Sequence, residues 1–184
     1  MRNSSIILLF LVVGLCCQGC ESVPSGCGSS SEKPINVRLS ELGITLPEVA
    51  TPVAAYVNVV ESGNLIFVSG QLPKRDGKVI FTGKVGRDIE LAEAQKAARL
   101  CAINALAAIE AQLGSLEQVN RIVRVEVFVN SSTGFTGQSQ VANGASLLLQ
   151  QVFGDAGRHA RMAVGVAELP LNATVEVAMI VEKK

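Results

Sequence analysis

Arg121-Ile122-Val123-Arg124-Val125-Glu126-Val127-Phe128-Val129 is the stretch that decides the fold. Val123, Val125, Val127 and Val129 fall on one face and Ile122, Arg124, Glu126 and Phe128 on the other, the period-two signature of a strand. On its N-terminal side, Ala94, Ala97, Ala98, Cys101, Ala105, Ala108 and Ile109 recur at helical spacing within Ile89 to Leu113. A stripe of such small residues lets a helix lie close against a sheet. Asp88 is a candidate N-cap and Gly114 a stop. On the C-terminal side, a second helix is predicted from about Gln138 to Phe153.

Further out, Tyr56 to Val60 and Leu65 to Val68 flank Glu61-Ser62-Gly63-Asn64, a hairpin signal. A third strand is predicted at Lys78 to Thr82, after the Arg75-Asp76-Gly77 turn. Two last strands, Arg161 to Leu169 and Thr174 to Glu182, are joined through Leu169-Pro170-Leu171-Asn172. Val37 to Leu42 is a candidate short helix ended by Gly43. Three strands, helix, strand, helix and two strands make an α+β domain with its helices on one sheet face. The other face stays partly apolar, so self-association is expected.

The N-terminus reads as an address. Met1 and Arg2 precede an apolar run from Ile6 to Leu15 that is too short to span a bilayer comfortably. Cys16-Cys17-Gln18-Gly19-Cys20 then resembles a bacterial lipoprotein processing site, with Cys20 as the lipid acceptor; Cys17 stands where Leu is usual. Residues 1–20 are therefore expected to direct export, with lipid anchoring in a bacterial cell envelope, or otherwise a periplasmic or secreted fate. Residues 21–36, rich in Ser and Gly, read as a flexible linker, and 37–184 as the folded domain.

Of five cysteines, Cys101 alone falls in that domain, so no disulfide framework is expected. Cys101 belongs to the alanine stripe and reads as a small buried apolar residue. His159 is the single histidine, which leaves no Cys/His set for a metal. The 16 basic residues balance the 16 acidic ones and are scattered, which argues against nucleic acid as a partner.

The segment His159-Ala160-Arg161-Met162-Ala163-Val164-Gly165-Val166-Ala167 carries the chemistry. Alternation places Arg161 on one side with Ala163, Gly165 and Ala167, which leaves room beside the guanidinium. A planar fork of donors suits a carboxylate held by two parallel hydrogen bonds. The pattern also fits an arginine in a surface ion pair beside small packing residues. Glu176 shares a face with Ala178 and Ile180; apolar neighbours raise a carboxyl's pKa and fit it to place or activate water. An edge-strand acid facing solvent would show the same pattern. His159, beside the key arginine, is either a group that titrates near the site or an exposed loop-to-strand residue.

Taken together, Tyr56-Val57, Phe67-Val68-Ser69-Gly70-Gln71-Leu72-Pro73, Ala160-Arg161, Leu169-Pro170 and Val175-Glu176-Val177 resemble the Rid (reactive intermediate deaminase, YjgF-type) family, across roughly residues 50–184. The resemblance implies a chorismate-mutase-like fold, a mixed six-stranded sheet with two helices on one face, and a homotrimer with ligand clefts between subunits. It implies hydrolysis of enamines and imines such as 2-aminoacrylate to 2-keto acids and ammonia, without metal or organic cofactor. It also implies site roles: Arg161 clamps the substrate carboxylate, Glu176 orients or activates water, Tyr56, Ser69 and Gly70 line the cleft, and Asn143 adds a polar group from the second helix. The sequence departs from the family at His159, where Pro or Ala is common, at Met162, and at Ala163, which replaces a frequent cysteine. The interval from Asn143 to Arg161 is one residue longer than in the deaminases. These departures mark a divergent branch whose substrate need not be 2-aminoacrylate. The competing reading is a non-catalytic module that binds a small carboxylate; a ribonuclease ranks last, since one histidine per chain supplies no acid–base pair.

Overall fold

The computed structural model describes residues 33–49 and 55–184. The expected export segment with Cys20, and the linker up to residue 32, lie outside the described residues. In chain order the elements are α1 (Ile35–Glu41), β1 (Val59–Ser62), β2 (Leu65–Gln71), β3 (Lys74–Arg75), β4 (Lys78–Val79), α2 (Leu91–Leu113), β5 (Val119–Asn130), α3 (Gln138–Phe153), β6 (Ala160–Val166) and β7 (Val175–Lys183).

The main sheet has five strands in the order β1-β2-β7-β5-β6. It is mixed, because β5 and β6 run parallel while the other pairs are antiparallel. The sixth strand expected around Lys78 to Thr82 does not join it. Gln71 is the last residue of β2 paired with β7, and Pro73, which has no N–H to donate, comes two residues later. The chain then folds on itself: Lys74 pairs with Val79 and Arg75 with Lys78. Asp76 and Gly77, at φ 51° and 75°, make the turn of this separate ribbon.

Helices α2 and α3 cover one face. Every residue of the predicted alanine stripe is buried, and beneath it lie Val125, Val127, Val129, Val175, Val177 and Val181. The two helices meet where Gly144 faces Gln95, and a Cβ there would stand 2.0 Å from the Gln95 carbonyl oxygen. Burial pushes the Cys101 thiol well up. Gly114 ends α2 in the left-handed conformation.

Two local expectations change. Asp88 does not cap α2, which begins at Leu91 after Glu90; its carboxylate instead accepts from the Lys84 backbone N–H at 2.9 Å and from the Arg87 guanidinium. In β5 the register against β7 shifts between Ile122 and Arg124. The extra residue turns Ile122 inward and leaves Val123 half-buried, so Ile122 rather than Val123 lines up with Val125, Val127 and Val129.

The open face carries Val60, Phe67 and Val164, all exposed, with Met162, Phe128 and Ile180 half-buried beside them.

Candidate functional site

Strand β6 forms one edge of the sheet, and its pairing with β5 fixes where its side chains go. Arg161 lies opposite Val125, Ala163 opposite Val127 and Gly165 opposite Val129. All three therefore face the helices, and the guanidinium reaches α3. Its Nη1 donates to Asn143 Oδ1 at 2.8 Å and to Ser146 Oγ at 3.2 Å. Asn143 and Ser146 are three residues apart, hence on one helix face. Both partners are neutral, and both bonds use Nη1. Among the described residues no carboxylate pairs with Arg161, so its charge and its remaining N–H groups stay available to a ligand.

Beside it is an open cavity of about 250 Å³ lined by Ser146, Gln150, Gly157, Arg158, His159 and Arg161. His159 is half-buried rather than an exposed loop residue. Its Nδ1 lies 2.7 Å from the Gly157 carbonyl oxygen and its Nε2 lies 3.1 Å from Ser146 Oγ. Burial, and secondarily the neighbouring Arg161 charge, hold the imidazole below its ordinary pKa against the raising effect of the Gly157 bond. The neutral form is favoured.

The other expected site residues gather elsewhere. Glu176 pairs with Phe128 on the face opposite the buried Val127 and Val177. A Cβ at Gly70 would stand 1.8 Å from Glu176 Oε1, so the absence of a side chain at Gly70 is what gives this carboxyl its place. The carboxyl is half-buried, and desolvation raises its pKa. Ser69 Oγ donates to the Val57 carbonyl oxygen at 2.7 Å, and Ser69 N–H to the Asn58 carbonyl at 2.9 Å. Ser69 thus ties down the segment that carries Tyr56, whose ring is exposed.

The chain therefore carries two candidate half-sites on opposite faces of its sheet. Arg161 and Asn143 form one with Ser146 and His159; Glu176 against Gly70 forms the other, with Ser69 adjacent in the chain and bonded to the segment that follows Tyr56. Ser146 escaped the sequence reading, although it follows Asn143 at i+3 on a face already singled out. His159, read as either a titrating neighbour of Arg161 or an exposed loop-to-strand residue, precedes β6 and is half-buried beside Ser146. Among the described residues no three His, Cys, Asp or Glu side chains stand together as a metal site.

The mixed sheet with helices on one face is the chorismate-mutase-like architecture of YjgF-type proteins. Residues 36–183 match the family described as "YjgF/chorismate_mutase-like, putative endoribonuclease", and the chain belongs to it. It is 51% identical over 149 residues to Protein TCP17 of Trypanosoma cruzi, covering 80% of this chain and 93% of that protein. It is 30% identical over 138 residues to a 2-iminobutanoate/2-iminopropanoate deaminase of Dermatophagoides farinae, covering 75% and 93%. Among solved structures, Atu1372 of Agrobacterium tumefaciens, a protein described as of unknown function, superposes with a TM-score of 0.76. It is 51% identical and covers 82% of this chain and 94% of its own.

Proposed function

We propose that this protein hydrolyses imino acids to 2-keto acids and ammonia. The observation that carries the proposal is the Arg161 guanidinium, oriented by two neutral acceptors at a cavity and lacking an anionic partner among the described residues. Such a fork is prepared for a carboxylate. The imine carbon is already electrophilic, so holding the substrate and placing a water supply the main requirements of the reaction. Glu176 is the group suited to the water: its raised pKa brings it nearer to working pH, where proton transfer is most efficient. The deaminase relative lends support to this activity.

Since one chain places Arg161 and Glu176 on opposite sheet faces, the reaction requires a neighbouring copy to bring the second half-site to the first. A homotrimer with clefts between subunits supplies that arrangement, and the apolar open face at Val60, Phe67 and Val164 supports association through the sheet. Export and lipid anchoring through Cys20 belong to the same proposal and rest on the sequence of residues 1–20.

The test is 2-keto acid release from enzymatically generated imino acids, using a panel of side chains. Arg161→Ala is expected to abolish turnover without changing the oligomer; unchanged turnover in that variant rejects the assignment. The separation of the half-sites also favours a second reading, a module that captures a small carboxylate through Arg161 without turnover. Binding of 2-keto acids with no catalysis across the panel would select it. The endoribonuclease of the family description finds little support in a chain with zero net charge and a single histidine.

A further inference from the structure

Hydrogen-bond direction around His159 is determined by elimination. The Gly157 carbonyl can only accept, so Nδ1 at 2.7 Å carries a proton. In the neutral ring Nε2 is then a bare lone pair, and its partner at 3.1 Å, the Ser146 hydroxyl, must donate to it. Arg161 Nη1 can only donate, so at 3.2 Å Ser146 Oγ accepts from it. The result is a one-way chain from Arg161 through Ser146 to His159, ending on a backbone carbonyl that locks the tautomer. A hydroxyl that accepts from a cation while donating to an imidazole is polarised for proton transfer. Both Ser146 and His159 line the cavity beside Arg161.

We propose that Ser146 and His159 form a proton relay coupled to Arg161, through which the site takes up one proton with the substrate carboxylate and delivers it to the substrate nitrogen. The inference rests on Arg161 holding a carboxylate. In the empty site burial and the Arg161 charge keep His159 neutral. Other charges nearby do not offset this. The turn before β6 carries Arg158 and Asp155, 3.3 Å apart and paired with each other; α3, packed against the ring, presents Asn143, Ser146 and Gln150, none of which ionises; on β5, Arg124 is paired with Glu126 at 2.8 Å. Burial, the larger cause, persists, but a bound carboxylate offsets the Arg161 charge and adds a negative group that favours the imidazolium, so the His159 pKa rises from its empty-site value. His159 then takes a proton on Nε2. It passes that proton to Ser146 Oγ as the Ser146 hydroxyl proton moves to the imine nitrogen. The imidazole returns to its neutral Nδ1–H form, serine is regenerated, and the iminium is ready for water.

Ligand raises the His159 pKa, so carboxylate affinity strengthens as pH falls from above the bound-state value toward the empty-site value and is flat below it. Between those two values the affinity gains at most about tenfold for each pH unit.

Because His159 is the only histidine, its imidazole nitrogens give an unambiguous NMR signal in the full-length chain. The neutral ring should report the Nδ1–H tautomer. Saturating 2-ketobutyrate should move its titration to higher pH, while 2-butanone, which lacks the carboxylate, should not. Where turnover is measured, Ser146→Ala should lower kcat about 10²-fold with KM little changed. His159→Gln, which hydrogen-bonds but cannot titrate, should flatten the alkaline limb of the kcat profile, where wild-type activity falls as the imidazolium is lost. An Nε2–H tautomer, or an identical titration with 2-ketobutyrate bound, overturns the relay and leaves the deaminase reading standing. A ligand-dependent titration in a protein without turnover supports proton-linked binding and removes the deaminase reading. Failure of 2-ketobutyrate to bind removes both.

Discussion

Replacing Gly70 with alanine tests the second half-site with a single methyl group. The added Cβ would stand 1.8 Å from Glu176 Oε1, 2.7 Å from Cδ and 3.0 Å from Cγ, and every close atom belongs to that one side chain. To reach ordinary contact at 3.4 Å, the oxygen must retreat from 1.8 Å, a displacement of about 1.6 Å. Gly70 is not among the positive-φ glycines, so alanine meets no backbone strain. The stability terms are small and opposed. Forcing Glu176 off its rotamer costs about 0.5–1.5 kcal/mol, and the stiffer unfolded chain returns about 0.4–1 kcal/mol. Tm should therefore shift by no more than about 4 °C. Activity should respond much more strongly, because a carboxylate that places water loses about 10²-fold for a misplacement near 1 Å. The assay pairs thermal unfolding with 2-keto acid release from a generated imino acid. Unaltered kcat with unaltered Tm would refute a water-placing role for Glu176. A fall in Tm beyond about 10 °C would instead show that the carboxyl is fixed in place rather than free to swing.

The contrasting substitution is Gly144→Ala, where the Cβ meets the Gln95 carbonyl oxygen at 2.0 Å. Backbone cannot swing aside, so α2 and α3 must separate, at a cost of about 1–3 kcal/mol, visible as a lower Tm in a thermal melt. Glu176→Gln should abolish turnover yet stabilise the fold at neutral pH. Desolvation raises the folded-state pKa, so the wild type loses stability as pH rises from the unfolded value toward the folded one; urea titrations at pH 4 and pH 7 should show the advantage of Gln only at the higher pH. Arg161→Lys keeps the charge but not the fork. Loss of one charge-assisted hydrogen bond, about 1.5–3 kcal/mol, should raise KM at least about tenfold, and an unchanged KM would show that Arg161 does not grip the carboxylate bidentately.

Most of the architecture was legible because the elements that build it have one strong period each. The alanine stripe of α2 specified both a helix and its distance from the sheet, and the valines of β5 specified a half-buried strand. The misreadings have local physical causes. The bulge at Ile122 inserts one residue and so exchanges the two faces of β5 upstream of it, which no period-two count can reveal. The strand at Lys78 closes on Lys74 because Asp76-Gly77 turns too tightly for it to travel back to the sheet. Asp88 passed for a cap, but Lys84 N–H and Arg87 compete for the same carboxylate and hold it.

The candidate residues could be named one by one from the sequence, but their geometry could not. Alternation correctly put Arg161 with Ala163 and Gly165, and Glu176 with Ala178 and Ile180, yet it cannot say which face of one strand matches which face of another. That depends on the hydrogen-bonded register, and the register assigns Arg161 to the helix side through Val125 and Glu176 to the open side through Phe128. A sheet separates the two groups by its own thickness, so no side-chain rotation within a protomer can unite them. If both residues act on one substrate, the catalytic unit is larger than the chain. Catalysis must then vanish with dissociation. Mixing Arg161→Ala with Glu176→Gln subunits supplies the decisive comparison. Mixed oligomers can assemble a cleft with both native residues and should regain turnover that neither parent shows. Failure to complement, with mixed assembly verified, would mean that the two half-sites never serve one reaction.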